Sequence, residues 1–187
     1  MKKYLLILCI GFSVSCTNTK EQSNVNIYDF SLSKVIDNHI ADLKKSKVSA
    51  DKILFNHKSF EKIPQDETSL YTSLISLKIY DINKPALKNV YSKYVFKNFV
   101  EYRTYNEKTP LKLMRIYGDL QNPSRIYVYY NVSNNLYTSR HIVNWDLNNS
   151  LSIYRLQDIK GLSPDSILIK SIYSNNSKAS STVDTGN

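Results

Sequence analysis

Two runs of alternating residues, 124–133 (SRIYVYYNVS) and 136–145 (LYTSRHIVNW), meet across Asn134-Asn135. Alternation with a period of two marks a strand with one buried face, and β-branched and aromatic residues dominate both runs. Asn tolerates positive φ, so the pair predicts a two-residue type I′ turn. Such a turn fixes the register. Ser133 then opposes Leu136, Val132 opposes Tyr137, Tyr130 opposes Ser139, Val128 opposes His141 and Ile126 opposes Val143. One face carries Ile126, Val128, Tyr130, Val132, Tyr137, Ser139, His141 and Val143, and reads as the core side. The other carries Arg125, Tyr127, Tyr129, Asn131, Thr138, Arg140 and Ile142; it is half polar and faces water or a partner.

A hairpin cannot stand alone, and its surroundings extend it. Asn148-Asn149 supplies a second turn before SLSIYRLQ, which is expected to bring Tyr154 and Leu156 to the core face. LKLMRIYG at 111–118 supplies a strand before Pro123. Upstream, Leu32, Val35, Ile36, His39, Ile40 and Leu43 form one apolar stripe at helical spacing. Ser31 suits its N-cap, and Lys44 and Lys45 its C-terminal end. Residues 69–82 fit a helix in part and a strand in part. Residues 83–103 lean to a helix ending near Phe99, although their Val, Tyr and Phe argue for a strand. Asp66-Glu67 reads as part of a turn containing Pro64. Segment 163–173 begins like a capped helix, while its Ile content allows a strand. The expected fold class is α+β, with N-terminal helical segments packed on a C-terminal antiparallel β-meander of about four strands. This class allows a cystatin-like or NTF2-like shape.

The chain has 187 residues with only 4 Gly and 5 Pro, which excludes collagen-like and Pro/Gly-rich disordered classes. At the N-terminus, Lys2 and Lys3 precede an apolar run from Tyr4 to Val14 that is too short to span roughly 30 Å of hydrocarbon. Residues 1–15 therefore read as an export signal. Residues 16–26 read as a polar tether and 27–174 as one domain. Residues 175–187 carry one sizeable apolar residue, Val183, and read as a disordered tail.

The 2 cysteines are Cys9, inside the signal, and Cys16, straight after Ser13-Val14-Ser15, so the exported chain has no disulfide pair to form. This segment resembles a bacterial lipoprotein signal, whose lipobox ends in the Cys that becomes the first mature residue. Ser13 departs from the Leu preferred there. The resemblance implies acylation of Cys16, palmitate among the chains, and a membrane-anchored localisation in the cell envelope. Thr17, in place of Asp, points to the outer membrane. One acyl chain binds a membrane only marginally, so several on Cys16 are expected to hold the domain there.

Chemistry is sparse. His39, His57 and His141 show no metal-ligand spacing, and Gly118, Gly161 and Gly186 form no phosphate loop. No cofactor and no metal are expected, and a catalytic role has little support. The formal net charge is +9, with the lysines spread along the chain. An exported, anchored protein has little access to nucleic acid, so this charge suits acidic envelope components. Arg125, Tyr127, Tyr129 and Arg140 are the candidate binding residues, because Tyr and Arg are favoured at interface hot spots. His141 and Tyr154 are candidate pocket residues. Three readings stay open: a lipid-anchored envelope protein with a non-catalytic domain that binds an envelope protein or a glycan; a periplasmic inhibitor or immunity protein; and a small pocketed enzyme or ligand carrier.

Overall fold

The structure is a computed structural model that describes residues 28–46, 48–56 and 59–174. The readings placed on the signal, Cys16, the tether, His57 and the tail lie outside the described residues. Among the described residues, nine strands form one antiparallel sheet. They are β1 (Ser49–Asn56), β2 (Ser59–Gln65), β3 (Ser92–Val95), β4 (Phe99–Arg103), β5 (Leu111–Gly118), β6 (Pro123–Ser133), β7 (Tyr137–Asp146), β8 (Ser150–Ile159) and β9 (Asp165–Ser174). The order across the sheet is β2-β1-β9-β8-β7-β6-β5-β4-β3. Strands β3 to β9 therefore run as a meander from one edge, and β9 pairs with β1 of the other hairpin.

Two helices among the described residues make this a β-rich α+β fold: α1 (Leu32–Ser46) and α2 (Glu67–Ser76), the latter prolonged by a 3-10 turn at Leu77–Tyr80. They are not gathered as N-terminal segments ahead of the sheet, as the sequence suggested. The β1–β2 hairpin stands between them, and α2 lies in the link that joins edge strand β2 to edge strand β3. Apolar side chains of α1 and α2 (Leu32, Ile36, Leu70, Leu74) meet Met114, Ile116, Ile126, Val143 and Trp145 from the sheet in one core. Trp145, Tyr102 and Phe30 are its largest fully buried side chains.

The α1 stripe is buried as its spacing predicts. Ser31 caps it as expected, its hydroxyl accepting the Lys34 N–H at 3.4 Å, and buried Asp81 reinforces the cap by accepting the Ser33 N–H at 2.8 Å and the Ser31 hydroxyl at 3.3 Å. A carboxylate from after the 3-10 turn thus satisfies the helix N-terminus and favours it electrostatically. Asp66 is the N-cap of α2 and accepts the Ser69 N–H at 2.6 Å. Pro64 belongs to β2; an edge strand tolerates it.

Segment 83–103 is not a helix. A short 3-10 turn (Pro85–Leu87) is followed by the β3–β4 hairpin. The β-branched and aromatic residues Val95, Phe99, Val100 and Tyr102 pack better on a pleated surface than around a helix. Segment 163–173 resolves as strand β9.

The β6–β7 hairpin forms with a register two residues away from the expected one. Ser133 pairs with Thr138, Tyr130 with His141, Val128 with Val143 and Ile126 with Trp145. Asn134 causes the shift. Its side-chain oxygen accepts the N–H groups of Leu136 (2.8 Å) and Tyr137 (3.0 Å), while its own N–H donates to the Tyr137 carbonyl at 3.0 Å. The turn therefore spans Asn134–Tyr137. A shift of two preserves parity, so every side chain keeps the face the sequence assigned to it. The next turn changes a face. Asp146 accepts the N–H groups of Asn148 and Asn149, both at 3.1 Å, and pairs with Ser150. Leu151, Ile153 and Arg155 then point to the core side, and Tyr154 and Leu156 to the opposite one, contrary to the expectation.

Candidate binding face

The helices lie on one side of the sheet, and the other side is open. Because register aligns side chains across neighbouring strands, rows on this outer face follow directly from the pairings. One row runs Phe55, Leu168, Tyr154, Ile142, Tyr129, Leu113, from β1 through β9, β8, β7 and β6 to β5. It is an uninterrupted apolar row across six strands. At roughly 4.8 Å between strands it is about 24 Å long. Phe55 is 53% exposed and Tyr154 36% exposed; the other four are half-buried.

Polar rows flank it. On one side Lys170, Ser152, Asn144, Tyr127, Arg115 and Glu101 stand side by side. On the other are Ser166, Leu156, Arg140 and Asn131. Arg125 lies one row beyond Tyr127, beside Tyr117 and Asp146.

The β3–β6 half is bound together by charge. Glu101 is only 1% exposed, although it lies on the open face. Arg103 Nη2 reaches its Oε1 at 2.5 Å, and Arg115 Nε donates to its Oε2 at 2.6 Å. The Glu101 carboxylate, the largest influence on Arg115, raises the guanidinium pKa further. Rings brace the guanidinium groups. Arg115 lies 5.4 Å from the Phe99 centroid and 5.8 Å from Tyr127, and Arg125 lies 3.9 Å from Tyr117. Phe99 stacks on Phe96 at 4.5 Å. Such contacts fix long side chains that would otherwise lose entropy on binding.

All four candidate binding residues sit on this face. Arg125, Tyr127 and Tyr129 follow one another along β6, and Arg140 stands on β7 beside Asn131. Sequence reasoning missed Phe99, Glu101, Arg103, Arg115 and Tyr117. The first three lie in or just past the helix expected to end near Phe99. Period-two alternation of Phe99, Glu101 and Arg103 is the signal that marks them.

The two candidate pocket residues are separated. Tyr154 belongs to the outer row, whereas His141 points to the core side. His141 Nδ1 lies 2.8 Å from the Tyr80 hydroxyl and Nε2 lies 3.2 Å from Ser139 Oγ. Tyr130 stacks on the imidazole at 5.0 Å. Burial lowers the His141 pKa, and Arg155 lowers it further; burial pushes Tyr80 up to about 12. A serine, a histidine and a phenol in line have the order of an acyl-transfer relay. Ser139, however, is 7% exposed, and the chain of bonds closes on itself, tying the 3-10 turn to β7. Among the described residues no three His, Cys, Asp or Glu side chains cluster closely enough to hold a metal ion. No helix among them is long and apolar enough to cross a membrane. No protein family, curated protein or solved structure matches this chain.

Proposed function

We propose that this chain is a lipid-anchored protein of the cell envelope, acylated at Cys16 and held in the outer membrane, whose domain binds another envelope protein through its open sheet face. The observation that carries the reading is the apolar row across six strands with guanidinium groups on both flanks. A contiguous apolar strip left open by a single domain marks an interaction surface. The flanking charge selects the partner: Arg115, Arg125 and Arg140 favour a surface with an apolar ridge edged by carboxylates. A glycan would use the rings but would leave the aliphatic part of the row, Leu113, Ile142 and Leu168, without a counterpart.

The inhibitor or immunity reading uses the same face and differs in its partner, a toxin bound one to one over roughly 1,200–2,000 Å². The cystatin-like or NTF2-like ligand carrier draws least support, because the His141 network is already satisfied within the chain. Two measurements test the proposal together. Intact mass of the protein purified from the membranes of its host is expected to show acylation at Cys16, lost together with membrane attachment in Cys16→Ala. A photocrosslinking residue at Tyr129 is expected to yield a protein adduct in the intact envelope that Arg140→Glu abolishes, while the same residue at Lys88, exposed beside the 3-10 turn at Pro85–Leu87, yields none. An unacylated soluble protein contradicts the anchor, and equal adducts at both positions contradict the face.

A further inference from the structure

A cleft among the described residues lies away from the open face. It has a volume of about 980 Å³ and is bounded by the C-terminal half of α1, the β5–β6 loop, the β7–β8 turn and the end of β9. Behind it stand three aromatic side chains from three elements. The His39 ring packs edge-on to Trp145 at 5.1 Å and tilted to Tyr173 at 5.8 Å. His39 and Tyr173 line the cleft, and Trp145 is fully buried beneath them.

Their polar atoms lack partners among the described residues: His39 Nε2, Trp145 Nε1 and the Tyr173 hydroxyl are all buried, and none completes a hydrogen bond there. The Trp145 N–H is near enough to the Tyr173 oxygen to oppose the rise that burial, the largest cause, gives that phenol, yet the two do not complete a hydrogen bond. Native proteins leave few buried polar groups unpaired, since each carries an uncompensated desolvation cost. Three at one place is a concentration that the fold itself does not require. The contrast is His141, whose two ring nitrogens both have partners.

The rim is built of amides. Asn38, Gln121, Asn122 and Asn148 border the cleft, and their side-chain amides carry no hydrogen bond among the described residues. Asn149 differs, being bound to Asp146 at 3.0 Å. An amide offers one acceptor and two donors in a plane, which suits vicinal hydroxyls. The charges at the rim cancel: Lys45 and Asp42 pair at 3.5 Å, so neither sign of ligand is favoured.

We infer that this cleft is a binding site for a neutral polyhydroxylated ligand, a sugar, whose hydroxyls engage the rim amides and, through a small outward turn of the Tyr173 and His39 side chains, the unsatisfied aromatic polar atoms. The inference is independent of the open face and of the anchor.

The chain contains 1 Trp, and it is Trp145. Its emission therefore reports directly on the base of the cleft. Purified protein is titrated with galactose, mannose, N-acetylglucosamine and their disaccharides, followed by fluorescence and by calorimetry. At least one sugar is expected to bind saturably and shift Trp145 emission. Tyr173→Phe is expected to weaken binding by about tenfold, the effect of one lost hydrogen bond, with no loss of melting temperature, because the variant removes an unpaired buried hydroxyl. Should Tyr173→Phe fail to fold, Asn122→Ala with Asn38→Ala, both at the rim, is expected to give the same loss. Absence of saturable binding across the panel overturns the inference, as does binding that keeps its full strength in these variants.

Discussion

The two faces of the sheet are made from the same strands and the same alternation, yet they are finished differently. The inner face buries Met114, Ile116, Ile126, Val143 and Trp145 under α1 and α2. The outer face keeps its apolar row, Phe55 to Leu113, open and edges it with arginines. Even its one buried charge, Glu101, is covered by side chains of its own face rather than by another layer. The inner face is thus closed by the chain itself, whereas the outer face is prepared for something else to close it. Stability is expected to reside in the first and binding in the second, and substitutions separate the two.

The largest effect belongs inside. Met114→Ala, at a fully buried position, is expected to cost about 2–5 kcal/mol by loss of transfer energy and creation of a cavity, read as a lowered denaturant midpoint. A cost below about 1 kcal/mol would show that the two layers are not packed as described.

Glu101→Gln comes next. It removes the charge that holds Arg103 and Arg115, but both arginines are 35% exposed and can turn to water. The expected loss is about 1–3 kcal/mol, accompanied by weaker crosslinking at Tyr129, because the guanidinium array loosens. Stability unchanged by Glu101→Gln would mean that the cluster contributes nothing to the fold.

The histidines provide a smaller effect. Burial, the largest cause in each case, lowers both His39 and His141 from the ordinary 6.5; Asp42 partly offsets this for His39, and Arg155 adds to it for His141. The unfolded chain takes up protons near pH 6.5 that the folded chain refuses. Their contribution is therefore complete above pH 6.5 and is lost as the pH falls below it. Melting temperature is expected to fall between about pH 7.5 and 5.5, and the fall is expected to be smaller in His141→Asn. A decline of the same size in that variant would exclude His141 as a source.

Smallest for the fold and largest for the partner is Arg140→Glu. At an exposed outer position it is expected to move stability by no more than about 0.5 kcal/mol, while abolishing partner contact. A large loss of stability would place Arg140 in the scaffold instead.

Much of this division is legible in the sequence. The alternation of Ile126, Val128 and Tyr130 with Tyr127 and Tyr129 separates the two faces, and it holds in either register because a shift of two preserves parity. The α1 stripe is equally clear. What the chain does not reveal depends on bonds that form only in the fold. Asn134 bonding to its own turn moves the register, and Asp81 joins Ser31 at the cap of α1. In residues 83–103 helical and strand signals compete, and pairing of β4 with β5, a tertiary event, decides between them. The apolar row itself cannot be read from the chain, because its residues come one from each of six strands that only the sheet order brings into line. The cleft is hidden for the same reason: His39, Trp145 and Tyr173 are far apart in sequence.

The most direct test uses the absence of cysteine after Cys16. A single cysteine introduced as Tyr129→Cys on the open face, and another as Lys88→Cys beside the Pro85–Leu87 turn, are labelled with a maleimide in the purified domain and in the intact envelope. The open-face interface predicts rapid labelling of both in the purified domain, and protection in the envelope of Tyr129→Cys alone. Equal labelling of Tyr129→Cys in both settings would show that nothing covers this face, and would contradict its role as the binding surface.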